Sequence, residues 1–262
     1  TIAGDYVYKW KKPVDFGFLD FSTLEKREFY CNQELTLNKR LCPDLYLEVV
    51  TICQEADTMV LNGQGAIVEY GVKMNRMDDS GLMNKKIAQS SLTEADLDTV
   101  VANLVPFYES AAGDESIQQF GTAEGFGVNV IENFDQTEGF VGGGVLTQEL
   151  FDLVKQYSLG FLQKETLFEE RIAQGRVRDC HGDLYSANIC FDGGKTQIFD
   201  CIEFNERFRY SDVAADIGFL AMDLDFHGLD ELSEYFVNSY VEQSGDTGIR
   251  EVLDFYKCYR AY

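Results

Sequence analysis

Alternation of apolar and polar residues predicts three strands near the N-terminus. Residues 6–12 place Val7, Lys9 and Lys11 on one face of a strand and three aromatic residues on the other, and Pro13 ends the pattern. Residues 47–54 and 66–74 are also rich in strand-forming residues, and the second segment follows a turn-rich stretch at 62–65.

A helix is predicted between the first two of these strands. Ser22 is followed three residues later by Glu25, which is a capping-box pattern, and apolar residues recur at helical spacing until Pro43. The first 75 residues therefore predict a small antiparallel sheet that carries one helix.

The pattern changes after Met74 to one of helices and loops. Helices are predicted over residues 93–108, 150–175, 211–226 and 229–241, and the Gly-rich stretch 111–145 is expected to be irregular. We therefore expect an α+β fold, with an N-terminal part at residues 1–75 and a larger helical part at 76–262.

Length and composition are those of a globular protein. The chain has 262 residues, 45% of them hydrophobic, and only three prolines, so it can bury enough surface to offset chain entropy. No run approaches the 18 or so apolar residues of a spanning helix, and we expect a cytoplasmic protein. Because the chain starts at Thr1 without Met and stops at Tyr262 within a helical pattern, we expect a fragment of a longer protein.

The charge is strongly acidic, with 45 Asp and Glu against 22 Lys and Arg and a formal net charge of −23. Such a surface repels phosphate backbones and anionic lipids, which argues against nucleic acid and membrane partners. Acidity that only confers solubility is the simplest explanation, although a cationic substrate would be attracted. The seven cysteines lack CxxC spacing, which favours buried thiols over disulfides or a zinc site.

Candidate chemistry is concentrated in residues 180–200. Two short apolar strands flank Asp192-Gly193-Gly194, which predicts a hairpin in which Asp192 pairs with Lys195. Counting back along this register places Asn188 opposite Phe199, and therefore beside Asp200.

Three polar residues would then meet at one end of the hairpin. Asp183, Asn188 and Asp200 offer two carboxylates and one amide oxygen, a set of hard ligands that suits Mg²⁺ shared with substrate phosphates. Their order is that of the protein-kinase catalytic loop and its metal-binding Asp. In that arrangement Asp183 accepts the proton of the attacking hydroxyl, and Asn188 and Asp200 hold the metal.

The segments His181-Gly182-Asp183 with Asn188 and Phe199-Asp200-Cys201-Ile202-Glu203 resemble the aminoglycoside phosphotransferase family. These are small-molecule kinases with a two-lobe, protein-kinase-like fold. Residues 9–25 and 199–205 resemble an uncharacterised bacterial branch of that family, often fused to a C-terminal P-loop ATPase domain. The resemblance implies an ATP- and Mg²⁺-dependent phosphotransferase, with Asp183 as catalytic base, His181 bracing its loop, and Asn188 and Asp200 as metal ligands.

The same resemblance implies a lysine and a glutamate for nucleotide binding. Lys9 matches the strand lysine that contacts the phosphates, and Glu34 matches the helix glutamate that pairs with it. Asp216 matches a structural aspartate that follows the metal site. The competing residues are Lys11 and Lys12 for the lysine, and Glu25 and Glu28 for the glutamate.

Three features depart from the family pattern. No Gly-rich phosphate loop precedes Lys9, Cys201-Ile202-Glu203 replaces the Phe-Gly of protein kinases, and the substrate-recognition helices are expected to be cut short at Tyr262. The change after Asp200 is typical of small-molecule kinases.

Two glycine patterns are expected to have no phosphate-binding role. Gly193-Gly194-Lys195-Thr196 imitates the end of a Walker A motif, but Ile189 stands where that motif requires glycine. The glycines at 121, 125 and 127 have no strand before them and are expected to lie in a flexible loop.

Two other functions stay open at this point. One is a catalytically silent nucleotide-binding module that regulates an attached ATPase domain, and the other is modification of an aminoglycoside antibiotic. Retention of all three polar site residues favours the enzyme. The acceptor, the choice of ATP or GTP and the oligomeric state are not determined by these motifs.

Overall fold

The computed structural model describes residues 1–262, which form two compact units. The first comprises Thr1–Leu92 and Ala187–Glu206, and the second comprises Thr93–Ser186 and Arg207–Tyr262. The predicted α+β class is confirmed, with a five-stranded sheet in the first unit and mainly helices in the second. The division differs from the predicted boundary after residue 75, because the segment after the sheet packs on the hairpin: Leu82 bridges to Cys190.

The sheet of the first unit is antiparallel, with strand order β1-β2-β5-β3-β4. Two strands of this sheet, β1 and β4, are not among the three predicted from alternation. Strand β4 lies at the edge, pairs only with β3, and exposes most of its apolar side chains, so it shows no buried face. The strands are β1 (Ile2–Ala3), β2 (Tyr6–Trp10), β3 (Tyr46–Glu55), β4 (Thr58–Leu61) and β5 (Ala66–Asn75).

One long helix, α1 (Leu24–Asn38), packs on β3 and β5, and a short helix α2 (Met83–Ala88) follows the sheet. The predicted cap at Ser22 is wrong: the side chain of Thr23 caps α1 by accepting from the Lys26 amide. Ser22 instead donates its hydroxyl to Asp20 at 2.6 Å. The core beneath α1 contains Cys31, Cys42, Leu45, Tyr46, Val72 and Met74.

The hairpin is formed by β7 (Ile189–Asp192) and β8 (Lys195–Ile198), with the predicted register. Asp192 pairs with Lys195, and the Phe199 amide donates to the Asn188 carbonyl at 3.0 Å. Gly193 and Gly194 have φ of 57° and 77°, which a two-residue turn of this kind requires at both central positions. The two glycines of the Gly-Gly-Lys-Thr sequence therefore form the predicted hairpin turn, and Lys195 and Thr196 begin β8.

The second unit is built around a buried helix. Helix α8 (Val213–Phe226) is apolar on most of its circumference and packs against α9 (Asp230–Ser244) and α10 (Ile249–Ala261). Gly218 allows this contact, because a Cβ there would lie 3.2 Å from Tyr256. No helix in the protein combines the length and the apolar character needed to cross a membrane.

Two predictions for the second unit are wrong. Residues 111–145 contain two α-helices, and Gly125 lies within the second. A glycine is needed there because a Cβ would meet the Gln119 carbonyl at 2.1 Å. The predicted helix 150–175 is broken at Gln163–Lys164.

The remaining elements are α3 (Glu94–Ser110), α4 (Glu115–Gln118), α5 (Ala123–Thr137), α6 (Gln148–Leu162), α7 (Glu165–Ala173), β6 (Val177–Asp179) and its antiparallel partner β9 (Tyr210–Asp212).

Candidate functional site

Lys9 on β2 joins two acidic residues that are far from it in sequence. Its Nζ lies 2.8 Å from Oε1 of Glu34 on α1 and 2.5 Å from Oδ1 of Asp200. Burial by itself would lower the pKa of Lys9, but the two carboxylates outweigh it and hold that pKa well above its ordinary value. Lys9 is therefore charged at neutral pH, and its side chain remains 41% exposed, so it can reach a ligand.

Glu34 binds a second lysine with its other oxygen. Its Oε2 lies 2.7 Å from Nζ of Lys11, which also pairs with Glu203. The side chains of Glu34 and Lys11 are only 1% and 4% exposed. Five charged groups thus alternate in sign, in the order Asp200, Lys9, Glu34, Lys11 and Glu203.

The alternating network separates Lys9 and Glu34 from their competitors. Lys11 is buried beneath Glu34, and Lys12 is exposed at the end of the strand. Glu25 and Glu28 are both exposed on α1, whereas Glu34 faces the sheet. Of the residues considered, Lys9 and Glu34 are the pair that lies beside Asp200.

Asp200 has a backbone conformation that few side chains tolerate. Its φ is 63°, in the left-handed region, which costs on the order of 1 kcal/mol or more for a residue with a Cβ. The conformation is held on both sides, since the Asp200 amide donates to the Tyr46 hydroxyl at 3.3 Å and the Cys201 amide to Oδ1 of Asn38 at 2.9 Å. Strand β3 and helix α1 therefore determine the position of this carboxylate.

The predicted donors for a metal ion are the amide of Asn188 and the carboxylate of Asp200. Asn188 is buried at 5% exposure opposite Phe199, the residue before Asp200. No group of three or more His, Cys, Asp and Glu side chains is arranged to hold a metal. Two oxygen donors nevertheless fit Mg²⁺, which is usually bound through one or two protein carboxylates together with substrate phosphates and water.

A cavity of about 520 Å³ opens in the first unit on the same side of β2 as Lys9. Val7 lines it, and residues 7 and 9 share one face of the strand because side chains alternate along it. Leu45, Met74 and Met77 are further apolar lining residues, and Asn75, Arg76, Asp78 and Asp79 also line the cavity. Its volume is within the usual range for small-molecule and cofactor sites.

Asp216 holds the loop that carries Asp183. Its carboxylate accepts the backbone N–H groups of His181 at 2.7 Å and Gly182 at 2.9 Å, and the Tyr108 hydroxyl donates to it at 3.1 Å. The Asp183 amide donates in turn to Nδ1 of His181, which is fully buried. These contacts hold the loop in place, and the roles of His181 and Asp216 stay predictions.

A second carboxylate on α8 was missed in the sequence. Asp223 accepts the Ser186 amide at 2.9 Å, so the loop is tied at both ends to one helix. The spacing of the two acids could have indicated this, because residues 216 and 223 are seven apart and therefore lie on the same helical face. The sequence does not show that this face contacts the loop.

The chain has relatives of about twice its length. It is 33% identical over 265 residues to the uncharacterized proteins Rv2004c of Mycobacterium tuberculosis and Mb2027c of Mycobacterium bovis. The match covers all of this chain and 51% of each relative, so the chain spans about half the length of these curated proteins. No family model matches the chain.

Among solved structures, the chain is similar to aminoglycoside phosphotransferase APH(3'')-Id from Streptomyces rimosus, determined with ADP and streptomycin. The similarity covers 98% of this chain and 86% of that one, with 15% identity and a TM-score of 0.49. At this distance no residue role is transferred.

Proposed function

We propose that this chain is an ATP- and Mg²⁺-dependent phosphotransferase that acts on a hydroxyl group of a small molecule. The observation that carries the proposal is the position of Lys9 between Glu34 and Asp200. This double pairing keeps a cation in one place beside a carboxylate that suits a metal, which is what binding of a nucleoside triphosphate requires.

The cavity beside Val7 supports a place for the nucleobase. Val7 and Lys9 are two residues apart on one strand face, and strand residues rise about 3.3 Å each, so a base in the cavity would have its phosphates within range of Lys9. The apolar side chains of Leu45, Met74 and Met77 would stack against the flat base.

Asp183 would act as the general base toward the acceptor hydroxyl. Its loop is anchored through Asp216 and Asp223, so the carboxylate would be held in a defined orientation without further reorganisation. Asn188 and Asp200 would hold Mg²⁺, which when bound offsets the negative charge of the phosphates. Lys9 would add a second positive charge on the nucleotide.

Thermal melting with ATP and Mg²⁺ tests the nucleotide site first. We expect stabilisation of the wild-type chain that is lost in Asp200→Asn and retained in Asp57→Asn, an exposed acid in the turn between β3 and β4. The same samples are then assayed for ADP formation with a panel of hydroxyl compounds. Wild-type melting that is indifferent to ATP and Mg²⁺ would contradict the proposal.

The panel also separates the proposed enzyme from its alternatives. If nucleotide stabilises the chain but no acceptor in the panel leads to ADP formation, a regulatory nucleotide-binding module would be favoured. Aminoglycosides belong in the panel because a net charge of −23 attracts polycations. In the whole protein, which by comparison with its relatives would be about twice as long, a second domain such as a P-loop ATPase would be the attached partner.

A further inference from the structure

A small polar cavity in the second unit contains two arginines. Its volume is about 220 Å³, and it lies between α3, the segment that joins α7 to β6, and α9. The side chains that matter to the argument are Arg176 and Arg178, with Tyr108, Tyr240, Ser244 and Glu109 around them. In a chain of net charge −23, two guanidinium groups at one cavity are unexpected.

The two arginines are poorly provided with acceptors by the protein. The Nε atoms of both are buried and have no hydrogen-bond partner. Arg176 comes no closer than 3.7 Å to Asp246, which is too long for a hydrogen bond, and Arg178 donates only to the Ala111 carbonyl at 3.3 Å. Buried donors without partners are costly, so a ligand that supplies acceptors would bind favourably.

The neighbouring carboxylates of Asp212 and Asp246 do not accept from these two Nε atoms, because both carboxylates bind Arg171. Arg171 binds Asp212 through two nitrogens at 2.7 Å each and also donates twice to Asp246. Glu109 is the one carboxylate among the lining residues, and it is exposed. The buried Nε donors of Arg176 and Arg178 are therefore left without protein acceptors.

The backbone leaves room for these guanidinium groups. Gly175 has φ of 68°, and a Cβ there would lie 3.2 Å from Nη2 of Arg178, so any larger residue would crowd that group. Below about 300 Å³ a cavity is too small for a drug-sized ligand but accommodates a compact ion.

We propose that this cavity, lined by Arg176 and Arg178, is a binding site for a phosphate group, either inorganic phosphate or a phosphate monoester. Guanidinium groups match the geometry of phosphate oxygens through paired N–H donors, and Tyr240 and Ser244 of α9 also line the cavity. None of the residues proposed to bind nucleotide or Mg²⁺ lines this cavity: Lys9, Glu34, Asn188 and Asp200 all belong to the first unit.

The cavity is connected to the loop that carries Asp183 in two ways, once through the chain itself and once through a hydrogen bond. Arg178 lies on β6, which ends two residues before His181, and Tyr108 both lines the cavity and donates to Asp216. Occupancy would therefore stabilise the same anchor that holds the loop, and the site would be regulatory.

Calorimetry with inorganic phosphate tests the proposal independently of any phosphotransferase activity. The titrations use Lys9→Met as the background, so that phosphate at the proposed nucleotide site does not contribute. We expect saturable binding that weakens about tenfold or more in Arg176→Gln and in Arg178→Gln, and is unchanged in the exposed Arg250→Gln. Repeating the titration with glycerol 1-phosphate distinguishes a monoester site from one for the free ion.

Glu109→Gln provides a variant that keeps both arginines. Removal of this carboxylate at the cavity takes away a repulsion, so phosphate should bind more tightly than in the background chain. Absence of saturable binding, equal binding in the arginine variants, or no tightening in Glu109→Gln would overturn the proposal. If the arginine variants do not fold, the Glu109→Gln result decides alone.

Discussion

Lys9 and Asp200 are 191 residues apart in the chain, yet Nζ of the lysine lies 2.5 Å from Oδ1 of the aspartate. The contact joins the second strand of the sheet to the residue after the hairpin. Because Glu34 holds the same ammonium group from α1, three separate segments of the first unit meet at one cation.

Replacement of Lys9 by Met is expected to weaken binding of ATP with Mg²⁺ by roughly ten- to a hundredfold, the usual effect of losing one charge-assisted hydrogen bond. Equilibrium titration with a fluorescent ATP analogue measures it. Lys12→Met is the matched control, since Lys12 is an exposed lysine on the same segment. Equal losses of ATP affinity in the two variants would mean that affinity depends only on the net charge of the chain and not on the position of Lys9.

Asp183→Asn should lower the turnover number by about 10² to 10⁴ while leaving nucleotide affinity unchanged, because the amide cannot accept the hydroxyl proton. Steady-state ADP release, with the acceptor found in the panel, measures the change. Asp230→Asn removes an exposed acid from the start of α9 in the same unit and should have no effect. Wild-type turnover in Asp183→Asn would exclude Asp183 as the base.

Lys11→Met should lower the free energy of unfolding by about 3–5 kcal/mol, because it leaves Glu34 and Glu203 buried with one cation fewer between them. Urea unfolding followed by circular dichroism gives the value. Adding Glu203→Gln should restore part of the lost free energy of unfolding, since it removes one of the two buried negative charges that Lys11 balanced. No recovery in the double variant would show that Lys11 stabilises through packing.

Asp223→Ala is expected to reduce turnover roughly ten- to a hundredfold, because the Ser186 end of the catalytic loop loses its anchor and small displacements are costly in catalysis. Nucleotide affinity should not change, since Lys9, Glu34 and Asp200 lie in the other unit. Glu234→Ala, on the exposed face of α9, serves as the control. A fall in nucleotide affinity equal to that in turnover would instead indicate general unfolding.

Stability should decrease as the pH rises above 9. Burial raises the pKa of the Cys31 thiol from 9.0 to about 12 and that of Cys190 to about 11. Above pH 9 the unfolded chain loses these protons while the folded chain keeps them, so the contribution of each thiol is complete below pH 9 and is lost toward its folded pKa.

The expected slope is about 1.4 kcal/mol per pH unit for each such thiol. Urea unfolding at pH 8, 9 and 10 measures it. The Cys31→Ala variant should be less stable at pH 8 but show a shallower decline, and an unchanged slope would mean that this thiol is not the source.

Local chemistry made several features predictable. The Gly193-Gly194 turn imposes a two-residue hairpin, so the position of Asn188 opposite Phe199 followed from counting. Alternation along residues 6–12 placed Val7 and Lys9 on one face. In the structure Val7 lines the cavity, and Lys9 lies between Glu34 and Asp200. The motif around His181 identified the loop before its anchors were known.

Other features were decided by tertiary structure. The helix around Gly125 could not be inferred from a Gly-rich segment, because the reason for the glycine is the Gln119 carbonyl that approaches it. The choice of Glu34 over Glu25 and Glu28 required knowing which face of α1 meets the sheet.

The sequence by itself determined the elements whose causes are local: strand alternation, the turn glycines and the order of polar residues in the loop. Only the tertiary structure decided which charges pair and which are buried. Lys11 looks like a solvated lysine in the sequence, but packing removes it from water and leaves Glu34 and Glu203 to balance its charge. Burial and pairing depend on contacts between distant segments, and those contacts have no local signature.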